Sequence, residues 1–143
     1  MRNMVLLLVV VCLIPSAFSA VQEDQFSPTL VSIYKDWTQR CKMYTGTTED
    51  LIKQSREGNF PEDDSIKRYT DCVWTHHNYL ISPDRSIDER KLKYLLPKGS
   101  EPIIEAIKKC TADNSGETDD KEFYWKMHKC YHANVDSSMY YFL

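Results

Sequence analysis

The sequence has no second hydrophobic run of spanning length after its N-terminal one, no basic cluster, no N-x-S/T sequon and no sustained period-two alternation. The first absence argues against a membrane-inserted mature chain, and the second argues against a nucleic-acid partner. Without a sequon we expect no N-glycosylation. Without the alternation typical of half-buried strands we expect no β-sheet, which leaves a helical fold.

Sequence motifs of common hydrolases are missing as well. There is no G-x-S-x-G, no H-E-x-x-H and no spaced carboxylate pair. His76 follows a cysteine in a predicted helix, as in secreted phospholipase A2, but His77 rather than an aspartate comes next. The glycine-rich loop that holds the calcium ion of such an enzyme, which stabilises the oxyanion, is also missing. We therefore expect that the protein is not an enzyme.

The first twenty residues have the parts of a secretory signal peptide. Arg2 gives a positive start, "MVLLLVVVCLI" is an apolar core too short to cross a bilayer, and "SAFSA" provides small residues for cleavage. We expect residues 1–19 to be the signal peptide, with cleavage after Ser19 or Ala20. Residues 20–143 would then form a single secreted, extracellular domain.

Four of the five cysteines remain once Cys12 leaves with the signal peptide. An even number in a small secreted chain indicates disulfides. Cys41, Cys72, Cys110 and Cys130 allow three connectivities, and their spacing alone does not choose among these. In a loop-entropy model each bridge contributes about 3 to 4 kcal/mol to stability.

Helical periodicity from end to end predicts an all-α domain of six helices. Each expected helix has a start signal: Pro28; the capping pair Thr47 and Asp50; Asp63 or Asp64; the capping box "SIDE" at 86–89; Ser100 to Pro102; and Asp119. The last helix should end near Asn134, ahead of an apolar tail, "MYYFL", which we expect to be buried.

Two histidine-containing segments have the spacing of a metal site. Cys72 and His76 are four residues apart, as are His128 and His132, and such pairs share one face of a helix. An oxidised Cys72 is no longer a ligand, and Cys130, midway between its two histidines, points to roughly the opposite face. We therefore expect no metal and no other cofactor, and we interpret the histidines as partly exposed helix residues.

The cysteine spacing resembles that of the insect odorant-binding proteins, the pheromone and general odorant-binding superfamily. Members of that family have six helices around an apolar cavity, with six cysteines paired first to third, second to fifth and fourth to sixth. Cys41, Cys72, Cys110 and Cys130 match the first, third, fourth and sixth cysteines. The resemblance thus implies the bridges Cys41–Cys72 and Cys110–Cys130 in a compact helical domain that encloses an apolar cavity.

The two missing cysteines belong to one bridge of the family. The second would fall at Arg68, with three residues between it and Cys72, and the fifth at Lys121, with eight residues between it and Cys130. Losing both together leaves no unpaired thiol, which is the pattern of the minus-C subclass. Without this bridge we expect a less constrained fold and easier ligand exchange.

The resemblance implies an extracellular carrier that reversibly binds small hydrophobic ligands, such as odorants, pheromones or other lipophiles. Its partners would be the ligand and, indirectly, a membrane chemoreceptor, and it would be a monomer or a weak dimer. By position, the implied pocket residues are Trp74, Tyr79, Leu92, Leu95, Leu96, Ile104, Tyr124, Met127, Tyr131, Tyr141 and Phe142. Tyrosine hydroxyls are the candidate polar groups of that pocket. The alternative is a secreted interaction or scavenger protein of the salivary or seminal type.

Overall fold

A computed structural model describes residues 26, 28–75 and 81–136 of the chain, which form six α-helices. They are α1 Pro28–Thr45, α2 Glu49–Arg56, α3 Asp64–Thr75, α4 Glu89–Leu95, α5 Glu101–Asp113 and α6 Asp120–Asn134. The predicted all-α class is therefore confirmed. No helix in these ranges is both long and apolar enough to cross a membrane. The expected signal peptide, His76 and His77 lie outside the described residues.

Two helix starts differ from the sequence prediction. The hydroxyl of Thr48, and not that of Thr47, caps α2 by accepting a backbone N–H of the first turn. The cap of α4 is Asp88 and not Ser86. The Ser86 hydroxyl and N–H instead donate to the Asp84 carboxylate in the preceding turn, at 2.6 and 3.0 Å. The two helices are short, with 8 and 7 residues.

Two disulfides fix the arrangement of four helices. Cys41–Cys72 joins α1 to α3, and Cys110–Cys130 joins α5 to α6, with Cα–Cα distances of 5.7 and 5.6 Å. These are the two bridges that the resemblance implied. They also remove all four sulfur atoms from the set of possible thiolate metal ligands.

The buried side chains form two hydrophobic clusters. Cluster 1 contains Trp74, Ile81, Leu92, Leu96, Ile103, Ile104, Ala106, Ile107, Cys110, Phe123, Tyr124, Met127 and Tyr131. Cluster 2 contains Trp37, Cys41, Ile52, Ile66, Tyr69, Val73 and Trp125. Helices α3 and α6 contribute to both clusters, because successive residues of a helix point in directions about 100° apart. The α3–α6 pair therefore divides the core.

His128 of α6 is fully buried at this division, which corrects the expectation of a partly exposed histidine. Its ring centre lies 6.4 Å from that of Trp74 in cluster 1 and 6.3 Å from that of Trp125 in cluster 2. Its Nε2 is 3.3 Å from the hydroxyl oxygen of Ser55 on α2. Burial, with a smaller contribution from His132, lowers the pKa of His128 to about 3. The imidazole is therefore neutral near pH 7.

The buried imidazole should make stability fall as the pH is lowered. In the unfolded chain its pKa is about 6.5, so the stabilisation is complete above that value and is lost as the pH falls toward the folded value. Between pH 7 and pH 5 the loss should be about 2 kcal/mol in the free energy of unfolding. His128→Gln should remove this dependence, whatever its stability at pH 7. Urea unfolding at both pH values measures it.

The matched control for that experiment is His132→Gln, which changes the neighbouring histidine of the same helix and retains His128. It should keep the pH dependence of the wild type. If the free energy of unfolding fell equally between pH 7 and pH 5 in the wild type and in His128→Gln, the prediction would be contradicted.

The two disulfides should differ in their contribution to stability. Cys41–Cys72 closes a separation of 31 residues and Cys110–Cys130 one of 20. Replacing either pair by alanine should lower the free energy of unfolding by about 3 to 4 kcal/mol, with the larger loss for the longer loop. Guanidinium unfolding measures both variants. A loss below about 1 kcal/mol for either pair would contradict a role in stabilising the fold.

Candidate ligand-binding site

Cluster 1 brings together most of the residues that the resemblance assigns to a ligand pocket. Seven of them belong to it: Trp74, Leu92, Leu96, Ile104, Tyr124, Met127 and Tyr131. Leu95 is half-buried at the end of α4. Tyr79, Tyr141 and Phe142 lie outside the described residues. The contact of any of these side chains with a ligand stays a prediction.

Two apolar helix faces supply most of the cluster. On α5, Ile103, Ile107 and Cys110 recur at three- and four-residue spacing and are fully buried. On α6, Tyr124 and Tyr131 recur at seven-residue spacing, with Met127 between them. Such spacing places side chains on one face of a helix. The Cys110–Cys130 bridge holds the two helices together.

Several members of cluster 1 were not among the predicted pocket residues. They are Ile81, Ile103, Ala106, Ile107, Phe123 and the half-cystine Cys110. Ile103 and Ile107 share the apolar periodicity of the predicted Ile104, which could have identified them. Ile81 lies between helices, where no periodicity marks a residue as buried.

Aromatic side chains bring polar atoms into this apolar cluster. The indole Nε1 of Trp74 and the hydroxyl of Tyr131 are fully buried, and the two rings meet edge to face at 5.5 Å between centres. Burial, and then the charges of Asp120 and Asp71, raise the pKa of Tyr124 to about 12. Its hydroxyl therefore keeps its proton. An indole N–H and tyrosine hydroxyls are suitable donors for a carbonyl or alcohol oxygen of a ligand.

A surface depression of about 480 Å³ lies between the segment before α4 and the outer side of α5. It is lined by Asp84, Arg85, Ile87, Lys108, Thr111, Ala112 and Ser115. Its charged lining does not suit an apolar ligand. Ile87, however, also packs against cluster 1, so the depression and the cluster share one side chain.

Within residues 26, 28–75 and 81–136, no group of three or more His, Cys, Asp or Glu side chains could hold a metal ion. The two histidines of α6 both pack against the ring of Phe60, but they approach different polar groups of α2. His128 lies beside Ser55, whereas the Nε2 of His132 is 3.3 Å from the carbonyl oxygen of Arg56. Their spacing on the helix thus reflects two packing contacts with α2.

Residues 23–134 match the model of the PBP/GOBP family. The match covers more than three quarters of the chain and includes all six helices and both disulfides. The proteins of this family are secreted binding proteins for small hydrophobic molecules, and not enzymes. From its sequence match, its six helices and its two bridges, the chain belongs to the PBP/GOBP family, the insect pheromone- and odorant-binding proteins.

Proposed function

We propose that the protein is an extracellular carrier that binds small hydrophobic ligands reversibly among the side chains of cluster 1. The observation that supports this most is that seven predicted pocket residues, from α3, α4 and its C-cap, α5 and α6, belong to one buried cluster. Transfer of an apolar ligand from water into such surroundings is favourable by about 25 cal/mol per Å² of buried apolar surface. Binding of this kind needs no covalent chemistry.

The preferred ligand would be apolar with one hydrogen-bonding group, such as an alcohol, ester or carbonyl. Aliphatic side chains of α4 and α5 would hold its hydrocarbon part. The polar atoms of Trp74, Tyr124 and Tyr131 would orient its oxygen. A pocket that is mainly apolar with a few directed polar groups selects ligands in this way.

Tyr131→Phe tests this assignment, because it removes a hydroxyl and leaves the ring. Affinity for a long-chain alcohol or ester, measured by displacement of the fluorescent probe 1-NPN, should fall about 2- to 10-fold, the effect of one hydrogen bond. Affinity for a hydrocarbon of equal length should not change. Tyr94→Phe is the matched control, since Tyr94 is 89% exposed on α4.

Two results would contradict the assignment. Saturable 1-NPN binding should occur in the wild type, and its absence would overturn the carrier function. An equal loss of alcohol affinity in Tyr131→Phe and Tyr94→Phe would leave the function standing and remove Tyr131 from the site.

A secreted interaction protein is the second candidate, and exposed side chains favour it. Met43 and Tyr44 at the end of α1 are 74% and 88% exposed, so two large apolar side chains lie on the surface of this helix. Such a surface suits contact with another protein. We propose a monomer or weak dimer in solution, which sedimentation over a range of concentrations measures. Any delivery of ligand to a membrane chemoreceptor would be indirect.

We also propose that the chain belongs to the subclass that lacks one bridge of the family. Arg68 of α3 and Lys121 of α6 both form ion pairs with the carboxylate of Asp64. The Arg68 Nε lies 3.3 Å from that carboxylate. Two positions that are distant in sequence are therefore close together in the fold. This supports the assignment, because a bridge between the second and fifth cysteines would join the same two positions of α3 and α6.

Restoring that bridge by Arg68→Cys with Lys121→Cys tests the assignment. Relative to the control pair Arg68→Ser with Lys121→Ser, the oxidised variant should be more stable by about 2 to 4 kcal/mol. Its 1-NPN dissociation should be slower, because α3 and α6 could no longer separate. Mass spectrometry verifies the bond. Failure of the bond to form, or an unchanged melting temperature and dissociation rate once it has formed, would contradict the proposal.

A further inference from the structure

Arg85 has a backbone conformation that favours glycine. Among the described residues it is the non-glycine residue with a positive φ, 63°. It ends a turn in which its N–H donates to the carbonyl of Ser82 at 2.7 Å, while the N–H of Ser82 donates to the carbonyl of Ser86 at 2.9 Å. An L-residue is disfavoured there by contact of its Cβ with the backbone. The presence of an arginine in this conformation points to a role of its side chain.

The Arg85 side chain connects this turn to the start of α6. Its Nη1 donates to the carbonyl oxygen of Glu117 and its Nη2 to the carboxylate of Asp120, both at 2.6 Å. Its guanidinium carbon lies 4.0 Å from the ring centre of Phe123, and Phe123 is a fully buried member of cluster 1. The side chain thus closes over the edge of that cluster.

The turn and the residue after it border both the surface depression and cluster 1. Arg85 and Ile87 line the depression, and Ile87 also packs against cluster 1. The opposite wall is α5, where Thr111 faces the depression and the preceding Cys110 is buried in cluster 1. Ile87 and residues 110–111 of α5 are therefore the part of the structure that the depression and the cluster have in common.

We propose that Arg85 is a latch on the route by which a ligand enters and leaves cluster 1. While its two hydrogen bonds and its contact with Phe123 are intact, Ile87 closes the passage between the turn and α5. When they break, the turn moves away from α5 and a ligand passes. Because the latch does not belong to the bound ligand's surroundings, it controls the rates of exchange and not the affinity. This assignment rests on the proposed carrier function.

Arg85→Gly and Arg85→Ala separate the latch from a merely structural role. Both remove the side chain, but glycine fits a φ of 63° and alanine does not, so Arg85→Gly should melt at the higher temperature of the two. In stopped-flow measurements with 1-NPN, both should raise the association and dissociation rate constants about tenfold, the effect expected for loss of a charge-assisted hydrogen bond. The dissociation constant should change less than about twofold, since both rates rise together.

Two further variants sharpen the test. Asp120→Asn weakens the hydrogen bond to Arg85 without touching the turn, and should give a smaller acceleration of both rates. Arg90→Ala, at an exposed arginine of α4, should exchange 1-NPN like the wild type. Wild-type rates in both Arg85 variants would overturn the latch. So would a weaker affinity with an unchanged association rate, which would make Arg85 a contact of the bound ligand.

Hydrogen exchange tests the latch without any ligand. The backbone N–H groups at positions 82 and 85 are hydrogen-bonded within the turn. They should exchange about tenfold faster in Arg85→Gly than in the wild type. Unchanged exchange would overturn the latch even if the carrier function holds. If instead the wild type does not bind 1-NPN but hydrogen exchange is faster in Arg85→Gly, the carrier function is overturned, whereas the role of Arg85 in closing the turn is supported.

Discussion

The packing of α3 against α6 is the contact on which the rest of the structure depends. These two helices contribute to both hydrophobic clusters, and each carries one cysteine that attaches a further helix. Cys72 attaches α1 to α3, and Cys130 attaches α5 to α6. Side-chain packing and ion pairs, and neither of these covalent bonds, hold α3 to α6 itself. The covalent bonds thus strengthen the periphery, while the central contact stays reversible.

The electrostatics of this central contact differ between its inside and its surface. Inside, burial lowers the pKa of His128 and keeps its ring neutral. A lower pH favours the charged ring and therefore destabilises the buried side of the contact. At the surface, Lys129 and then Lys67 lower the pKa of Glu62 to about 2, and Lys67 also pairs with Glu122 of α6 at 2.9 Å. The stability from the Glu62 carboxylate is present above its ordinary pKa near 4.5 and is lost only as the pH falls toward 2. Mild acid therefore weakens the buried side of the contact and leaves its surface intact.

The six helices could be predicted from the sequence, because apolar periodicity acts within one helix, whereas the caps of α2 and α4 fell one and two residues from the predicted positions. The pairing of the cysteines came from the resemblance, since spacing alone allows three. The burial of His128 could not be predicted, because it depends on α2 and α3 packing over one face of α6. The conformation of Arg85 lies between helices, where no periodicity exists. A buried residue can fill the core or contact a ligand, and the difference depends on the space between the helices. The positions of apolar residues in the sequence carry no information about that space.

The division of the core also separates the chain's three tryptophans. Trp74 belongs to cluster 1, while Trp37 and Trp125 belong to cluster 2. An emission change confined to Trp74 would therefore report events among the residues of the candidate site. A change in the other two would report the half of the core that contains the Cys41–Cys72 bridge. The natural sequence thus carries a separate optical reporter for each half of the molecule.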